Sequence, residues 1–371
     1  MANDKGVISA TVFGPGYGES IVIFVPGLGW GVIDSCECRV SGTLVNPALE
    51  HLKNENVDSL AFIILTHPHK DHYSGLSQII DHYIGRIDRI CYYSGDGLRE
   101  YKTYLAMKSF LNEGGGGISK LATLMTKMET AKSKGASIIK LQERTEIVRK
   151  AFYDDYRVEI LSLSPSEESV QKYRNLLFEA IPKLDGDIVK EITESQHNLL
   201  SAVIWLSVGN VQMIFGSDLE KGDDNSTGWK RIVDNRDSPD LWAHVVKVPH
   251  HGSFGAFCEE AWVKHASNGQ PIAIATPYTK LSNPLPRPDD LEQISRFADP
   301  VIVTALPTWA TAKKIYDRNI IKRAHEAGLR NWKAFVEPEK IGWVRIDVSA
   351  ENGEKRNITI EPPAYIYAAE S

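Results

Sequence analysis

Cysteine is scarce in this 371-residue chain: Cys36, Cys38, Cys91 and Cys258 are the only four, and no two of them form a Cys-x-x-Cys pair. That excludes a disulfide framework and leaves buried, reduced thiols as the expectation. Long apolar runs are missing too. None approaches the roughly 18 consecutive residues of a membrane span, and the first residues lack a basic segment followed by an apolar one. A cytoplasmic protein with no membrane partner is therefore expected. There is no excess of positive charge either: 42 Lys+Arg stand against 48 Asp+Glu, a formal −6. No bulk field draws in a polyanion, so any nucleic-acid contact needs a local basic patch. Internal repeats and low-complexity tails are also lacking. What remains, 42% hydrophobic and 24% charged, is the balance of a globular chain with ample core.

Short apolar runs between glycine turns predict strands at Val7–Phe13, Ser20–Val25 and Gly31–Asp34, and a continuous apolar strand at Leu60–Leu65. Helices are expected over Asn46–Asn54 and Leu76–Tyr83, with a strand at Arg89–Tyr93 between the latter and a longer helical stretch. Residues 98–190 read as a mainly helical insertion, interrupted by a loop at Gly114–Gly117 and by strand Arg157–Leu163. Further strands are expected at Leu199–Val208, Val211–Gly216, Trp242–Val248, Ile272–Thr276 and Val301–Ala305. Residues 306–371 read as a C-terminal extension of helix and hairpin on one domain spanning 1–371. Strands at both ends with helices between them argue for a layered α+β fold rather than a doubly wound sheet.

The 11 histidines are unevenly placed. Three fall within Thr66-His67-Pro68-His69-Lys70-Asp71-His72, directly after a buried strand. Residues two apart in an extended segment share a face, so His67 and His69 point at one ion, while Asp71 and His72 in the following turn point at a neighbouring one. Imidazole and carboxylate donors suit Zn²⁺ best, with Mn²⁺ or Fe as alternatives. His250 and His251 are adjacent. His51, His82, His244, His265 and His325 lack ligand partners and read as surface or satisfied core, and Cys36 and Cys38 as packing residues.

The loop from Thr66 to His72 resembles the HxHxDH signature of the metallo-β-lactamase fold superfamily. Gly31-Val32-Ile33-Asp34 resembles its first strand-end motif, and Phe215-Gly216-Ser217-Asp218 the strand-end motif with a bridging Asp. Lys247-Val248-Pro249-His250-His251-Gly252-Ser253 is similar to the HHGS loop of the ComEC-like branch. The resemblance implies a four-layer αββα sandwich holding two divalent ions. It assigns His67, His69 and His197 to one ion, Asp71, His72 and His250 to the other, Asp218 between them, and Asp34 behind the histidines as an orienting acceptor. At the His197 position the branch often has Asn, which Asn198 would supply. His250, directly after the strand, is the preferred ligand, with His251 contacting substrate or donating a proton; the reverse order is also open. Asn283-Pro284-Leu285-Pro286 departs from the branch, which carries a His-Pro there.

The implied activity is dinuclear metal-dependent hydrolysis by a metal-bridging hydroxide, oriented by Asp71, with His251 protonating the leaving group. The HHGS branch points to a phosphodiesterase or nuclease. Ser253 and a basic helical face bearing Lys313, Lys314, Arg318 and Lys322 are candidate substrate contacts. That face lies within Ala312–Arg330, where six basic residues face two acidic ones. Two other readings stay open: an esterase or lactonase acting on a small carbonyl substrate, and a non-catalytic metal-binding module that docks a protein partner through residues 98–190.

Overall fold

The computed structural model describes residues 6–94, 116–153, 155–180, 192–280, 284–307 and 340–368. The strands in chain order are β1 (Val7–Phe13), β2 (Ser20–Val25), β3 (Gly29–Ile33), β4 (Cys38–Val40), β5 (Thr43–Val45), β6 (Phe62–Leu65), β7 (Arg89–Tyr93), β8 (Ser137–Leu141) and β9 (Thr145–Tyr153). They continue with β10 (Tyr156–Ser162), β11 (Ile204–Val208), β12 (Val211–Phe215), β13 (Val245–Lys247), β14 (Ile272–Ala275), β15 (Val301–Val303), β16 (Trp343–Ser349), β17 (Lys355–Glu361) and β18 (Tyr365–Tyr367). Two eight-stranded sheets result, ordered β17-β16-β1-β2-β3-β6-β7-β8 and β18-β15-β14-β13-β12-β11-β10-β9, with β4-β5 as a separate ribbon. Each sheet contains a parallel run of four, β3-β6-β7-β8 in the first and β12-β13-β14-β15 in the second.

Side-chain alternation explains the layering. In β6, Phe62 and Ile64 face the second sheet, joining Ile204, Leu206, Met213 and Ile274 in a core between the sheets. Ile63 and Leu65 point the other way and pack under helices α1 (Pro47–Asn54), α3 (Leu76–His82), α4 (Gly116–Ser133) and α5 (Glu167–Ala180). Helices α7 (Gly228–Asp234), α8 (Glu259–His265) and α9 (Pro288–Ser295) cover the outer face of the second sheet through Trp229, Trp262 and Leu291. Two short helices, α2 (Lys70–Tyr73) and α6 (Glu194–His197), lie at the loops that build the site. A parallel strand buried on both faces needs apolar residues at every position, which is why Leu60–Leu65 reads as continuous rather than alternating. The fold is thus the expected α+β sandwich of four layers.

The expectation for residues 98–190 needs correcting. Its described residues carry β8 and β9 besides the expected strand, which is β10, and the helices α4 and α5, and β8 and β9 form one edge of each sheet. Helix α4 also begins at Gly116, inside the glycine run expected to be loop. In the C-terminal extension the hairpin is integral: β16 pairs with β1 over seven residues, and β18 pairs with β15. The expected basic helical face, with Lys313, Lys314, Arg318 and Lys322, lies outside the described residues. Among those described, no helix is long and apolar enough to cross a membrane.

Candidate metal centre

The parallel strands of both sheets end at one edge of the sandwich, and the loops leaving those strands build the site. Asp34 comes directly after β3, Thr66 to His72 after β6, Ser217 and Asp218 beyond β12, His250 and His251 beyond β13, and Thr276 after β14. Backbone groups at carboxyl ends of parallel strands open outward, which leaves a crevice for a ligand.

Asp34 anchors the first half. Its buried carboxylate accepts from the Thr66 amide (2.8 Å), the Thr66 hydroxyl (2.6 Å) and His72 Nδ1 (2.8 Å). Thr66 Oγ1, having donated to Asp34, accepts from His67 Nδ1 at 3.1 Å, and Ser217 Oγ lies 3.3 Å from the same nitrogen. In the second half, His251 Nδ1 donates to the Thr276 carbonyl at 2.8 Å. Each Nδ1 is thereby fixed as a donor to oxygen, which leaves Nε2 with the lone pair in the neutral ring. These Nε2 atoms converge on Asp218. His67 Nε2 is 3.7 Å and His251 Nε2 3.6 Å from Oδ2, and His72 Nε2 is 3.4 Å from Oδ1. Asp71 Oδ2 lies 3.3 Å from His251 Nε2 and 3.6 Å from His72 Nε2.

Two donor groups emerge: Asp71, His72, Asp218 and His251, and His67, His69 and Asp218. Nε2 of His67, His69 and His72 and Oδ1 of Asp218 are buried without a hydrogen-bond partner. Buried polar atoms left unpaired cost free energy, so four facing one space mark a place for a cation. Donors about 2.1 Å from a shared tetrahedral ion stand ~3.4 Å from each other, close to the separations around Asp218. The donor set fits a bound cation, and Asp218 belongs to both groups. A third group, Glu19, Asp34 and His72, also lies close together. Its atoms are already engaged: His72 Nδ1 with Asp34, and Glu19 with Lys247 and the Thr276 hydroxyl. That group therefore offers fewer free donor atoms than the other two.

Burial works to raise the carboxyl of Asp71, but His72 and His251 outweigh it and hold it at about 2. Burial likewise opposes ionisation of Asp218, yet His251 and His72 bring it well below the ordinary carboxylate range. Burial, reinforced by His72 and His69, holds His67 well below the imidazole range. At neutral pH Asp71 and Asp218 are therefore anionic and His67 is neutral, states that suit a metal. At His72 and His251, by contrast, burial is outweighed by Asp218 and Asp71, which raise both imidazoles, so a cation binding there must displace protons.

Several expected residues sit elsewhere. His250, preferred for the group with Asp71 and His72, is not in it; His251 is. The backbone explains the exchange: both residues adopt left-handed conformations, φ 45° and 55°. The His250 amide is meanwhile tied to the Ser217 carbonyl at 2.8 Å. The two rings diverge, and His250 turns to Asn198 (3.5 Å) and Glu220 (3.7 Å). His251 Nδ1 bonds the Thr276 carbonyl, and its Nε2 turns into the carboxylates of Asp71 and Asp218. His197 stands beside His69, ring centroids 5.6 Å apart, and its Nδ1 pairs with the Tyr173 hydroxyl at 2.8 Å, but it is not within either donor group. Asn198 Nδ2 donates to Glu220 at 3.1 Å, while its Oδ1 is buried without a hydrogen-bond partner. Ser253 Oγ caps the following turn by accepting from Gly255 N at 3.3 Å.

Two residues escaped the sequence reading as parts of the site: Glu19 and, although its motif was noted, Lys247. The signal for Glu19 was its place between the glycine-rich loop Gly14–Gly18 and β2. Gly18 must be small there, because a Cβ would lie 2.9 Å from the Asp71 carbonyl oxygen and 2.7 Å from Cys36 Cβ.

No family model matches the chain, and no curated protein does. Solved structures with some likeness include a mutant of CmlA beta-hydroxylase (12% identity, TM-score 0.32, 64% of this chain), of which the match spans only 35%. A diphosphatase from the PhnP family matches at 10% identity and TM-score 0.34, over 72% of this chain and 85% of that one. The hydrolase AbOPH in the beta lactamase superfamily matches at 13% identity and TM-score 0.30, over 58% and 72%.

Proposed function

We propose that this chain is a dinuclear metal-dependent hydrolase of the metallo-β-lactamase type, cleaving phosphodiesters. The observation that carries the reading is the convergence of buried, unpartnered Nε2 atoms on Asp218 while every facing Nδ1 of His67, His72 and His251 is held by oxygen. His67, His69 and Asp218 would hold one ion, and Asp71, His72, His251 and Asp218 the other, with Zn²⁺ the favoured metal and Mn²⁺ the alternative. Ions bound there supply Lewis-acid activation of water at neutral pH and charge stabilisation at the attacked centre, so no serine nucleophile is needed. Asp71, only partly buried, orients the attacking water from the open side. Asp34, Thr66 and Thr276 keep the imidazoles in their metal-binding tautomers.

Charge supports a phosphate over a neutral carbonyl. The buried carboxylates Glu19, Asp34 and Asp218 and the partly buried Asp71, with Lys247, carry a net −3 when the imidazoles are neutral. Two divalent ions reverse that to +1 at the place a phosphodiester must sit. The HHGS loop resemblance points the same way.

The test is metal analysis combined with turnover of bis-p-nitrophenyl phosphate, single- and double-stranded DNA, RNA, cyclic nucleotides, a lactone and nitrocefin. Phosphodiester cleavage lost in Asp218→Ala and His69→Ala is the expected result. Turnover of the lactone or nitrocefin alone refutes the substrate class. Metal uptake with no turnover of any substrate favours the non-catalytic module.

A further inference from the structure

Glu19 and Lys247 are buried charges beside the centre that the proposed hydrolysis does not use. Lys247 is 0% exposed and Glu19 1%. A lysine is almost never fully buried without a partner, and here the partner comes from the other sheet. Glu19 immediately precedes β2 of the first sheet, and Lys247 ends β13 of the second. Their side chains meet in a close ion pair whose geometry is that of a charge contact rather than a directed hydrogen bond. Thr276, after β14, completes the contact by donating its hydroxyl to Glu19 Oε2 at 2.7 Å.

This trio touches one metal group and not the other. The Glu19 amide donates to the Asp71 carbonyl at 3.2 Å. Glu19 Oε1 lies 3.7 Å from His72 Nδ1. The Thr276 carbonyl accepts from His251 Nδ1. Asp71 and His72 belong to the loops of the first sheet, and Asp218 and His251 to those of the second; His67 and His69 with Asp218 span the sheets too, so what sets the first group apart is the trio's direct contact with Asp71, His72 and His251. No hydrogen bond or ion pair among the described residues joins His67 or His69 to the trio.

Building on the dinuclear reading, we infer that Glu19, Lys247 and Thr276 form a strap between the sheets that positions the Asp71–His72–His251–Asp218 group without binding metal. An apolar contact of the same volume would hold the sheets together but would not fix their offset. The strap ties named atoms of the two sheets to one another, and each charge also neutralises the other. Without Lys247, Glu19 becomes a further uncompensated carboxylate beside Asp34, Asp71 and Asp218. Without Glu19, the ammonium repels the cation.

The test is titration of the metal-stripped full chain with Zn²⁺ and with Co²⁺, resolving two binding steps and recording the Co²⁺ absorption bands. Glu19→Gln and Lys247→Met should each weaken one step by about 10- to 100-fold and change its bands, with the other step within about threefold. The double variant Glu19→Gln/Lys247→Met, which restores charge balance, should recover most of that loss. Thermal melts without metal read the purely structural cost separately. Native affinity and native bands at both steps, with only a lowered melting temperature, overturn the inference; so does equal weakening of both steps. Should the single variants fail to fold, Thr276→Val, which removes only the hydroxyl contact, carries the test: a several-fold loss at one step supports the strap, and native binding overturns it. A native chain that takes up no divalent ion refutes the hydrolase reading and this inference with it, whereas native uptake with unaffected variants refutes the inference alone.

Discussion

Asp34 is the residue whose replacement separates folding from function most cleanly. Its carboxylate is fully buried and satisfies three donors, the Thr66 amide, the Thr66 hydroxyl and His72 Nδ1. Asp34→Ala leaves at least the amide and the imidazole N–H buried and unpaired. At about 1–3 kcal/mol for each stranded group, the expected loss is about 2–6 kcal/mol. The left-handed backbone at Asp34, φ 54°, adds about 1 kcal/mol against alanine. Against a typical stability of about 5–15 kcal/mol, that variant stands near the edge of folding. Asp34→Asn keeps the volume, tolerates the left-handed backbone and retains one carbonyl oxygen for Thr66, so it should cost only about 1–2 kcal/mol. Its amide nitrogen, however, replaces the oxygen facing His72. A neutral His72 must then accept at Nδ1 and carry its proton on Nε2, the atom turned to Asp218. Metal affinity should fall by about 10- to 100-fold while the fold survives. Urea denaturation of the metal-free proteins and Zn²⁺ titration of the folded ones measure the two effects. Equal destabilisation by Asn and Ala, or native Zn²⁺ affinity in the Asn variant, would refute the reasoning.

The geometry leads to three further expected outcomes. His251→Ala should reduce metal affinity and any hydrolysis by at least about 100-fold, while His250→Ala stays within about tenfold; the opposite order would return His250 to the centre. Gly18→Ala, whose Cβ would press on the Asp71 carbonyl and Cys36, should cost about 1–3 kcal/mol by overpacking and weaken metal uptake, measured by melting and by titration. His265 gives a pH signature independent of the centre. It is fully buried, its Nδ1 donates to the Leu241 carbonyl, and burial lowers it from 6.5 to about 4. Above pH 6.5 it adds no pH dependence. As pH falls from 6.5 towards 4 the unfolded chain takes up a proton that the folded chain refuses, so about 3 kcal/mol of stability is lost. His265→Gln should flatten that acid limb in urea denaturation at pH 7, 5.5 and 4, and an unchanged slope would show that His265 is not the group refusing the proton.

The amino-acid sequence by itself carried the α+β layering and most of the donors. A buried parallel strand writes itself as a continuous apolar run, and Phe62–Leu65 followed by Thr66 to His72 keeps four donors within six residues. Asp34 and Asp218 were legible because each ends such a strand. Strands β8 and β9 were not, because edge strands expose one side to water and take charged residues that blur the alternation: in β9, Arg149, Lys150 and Ala151 are all exposed. Tertiary structure decided the rest. Which of two adjacent histidines enters the centre depends on two consecutive left-handed residues held by a bond to Ser217, and backbone conformation of that kind is imposed by surrounding contacts rather than by the residues' own preference. The pairing of Glu19 with Lys247 could not be read from either position, since each is only a charge beside an apolar strand until packing of the two sheets brings them together away from water.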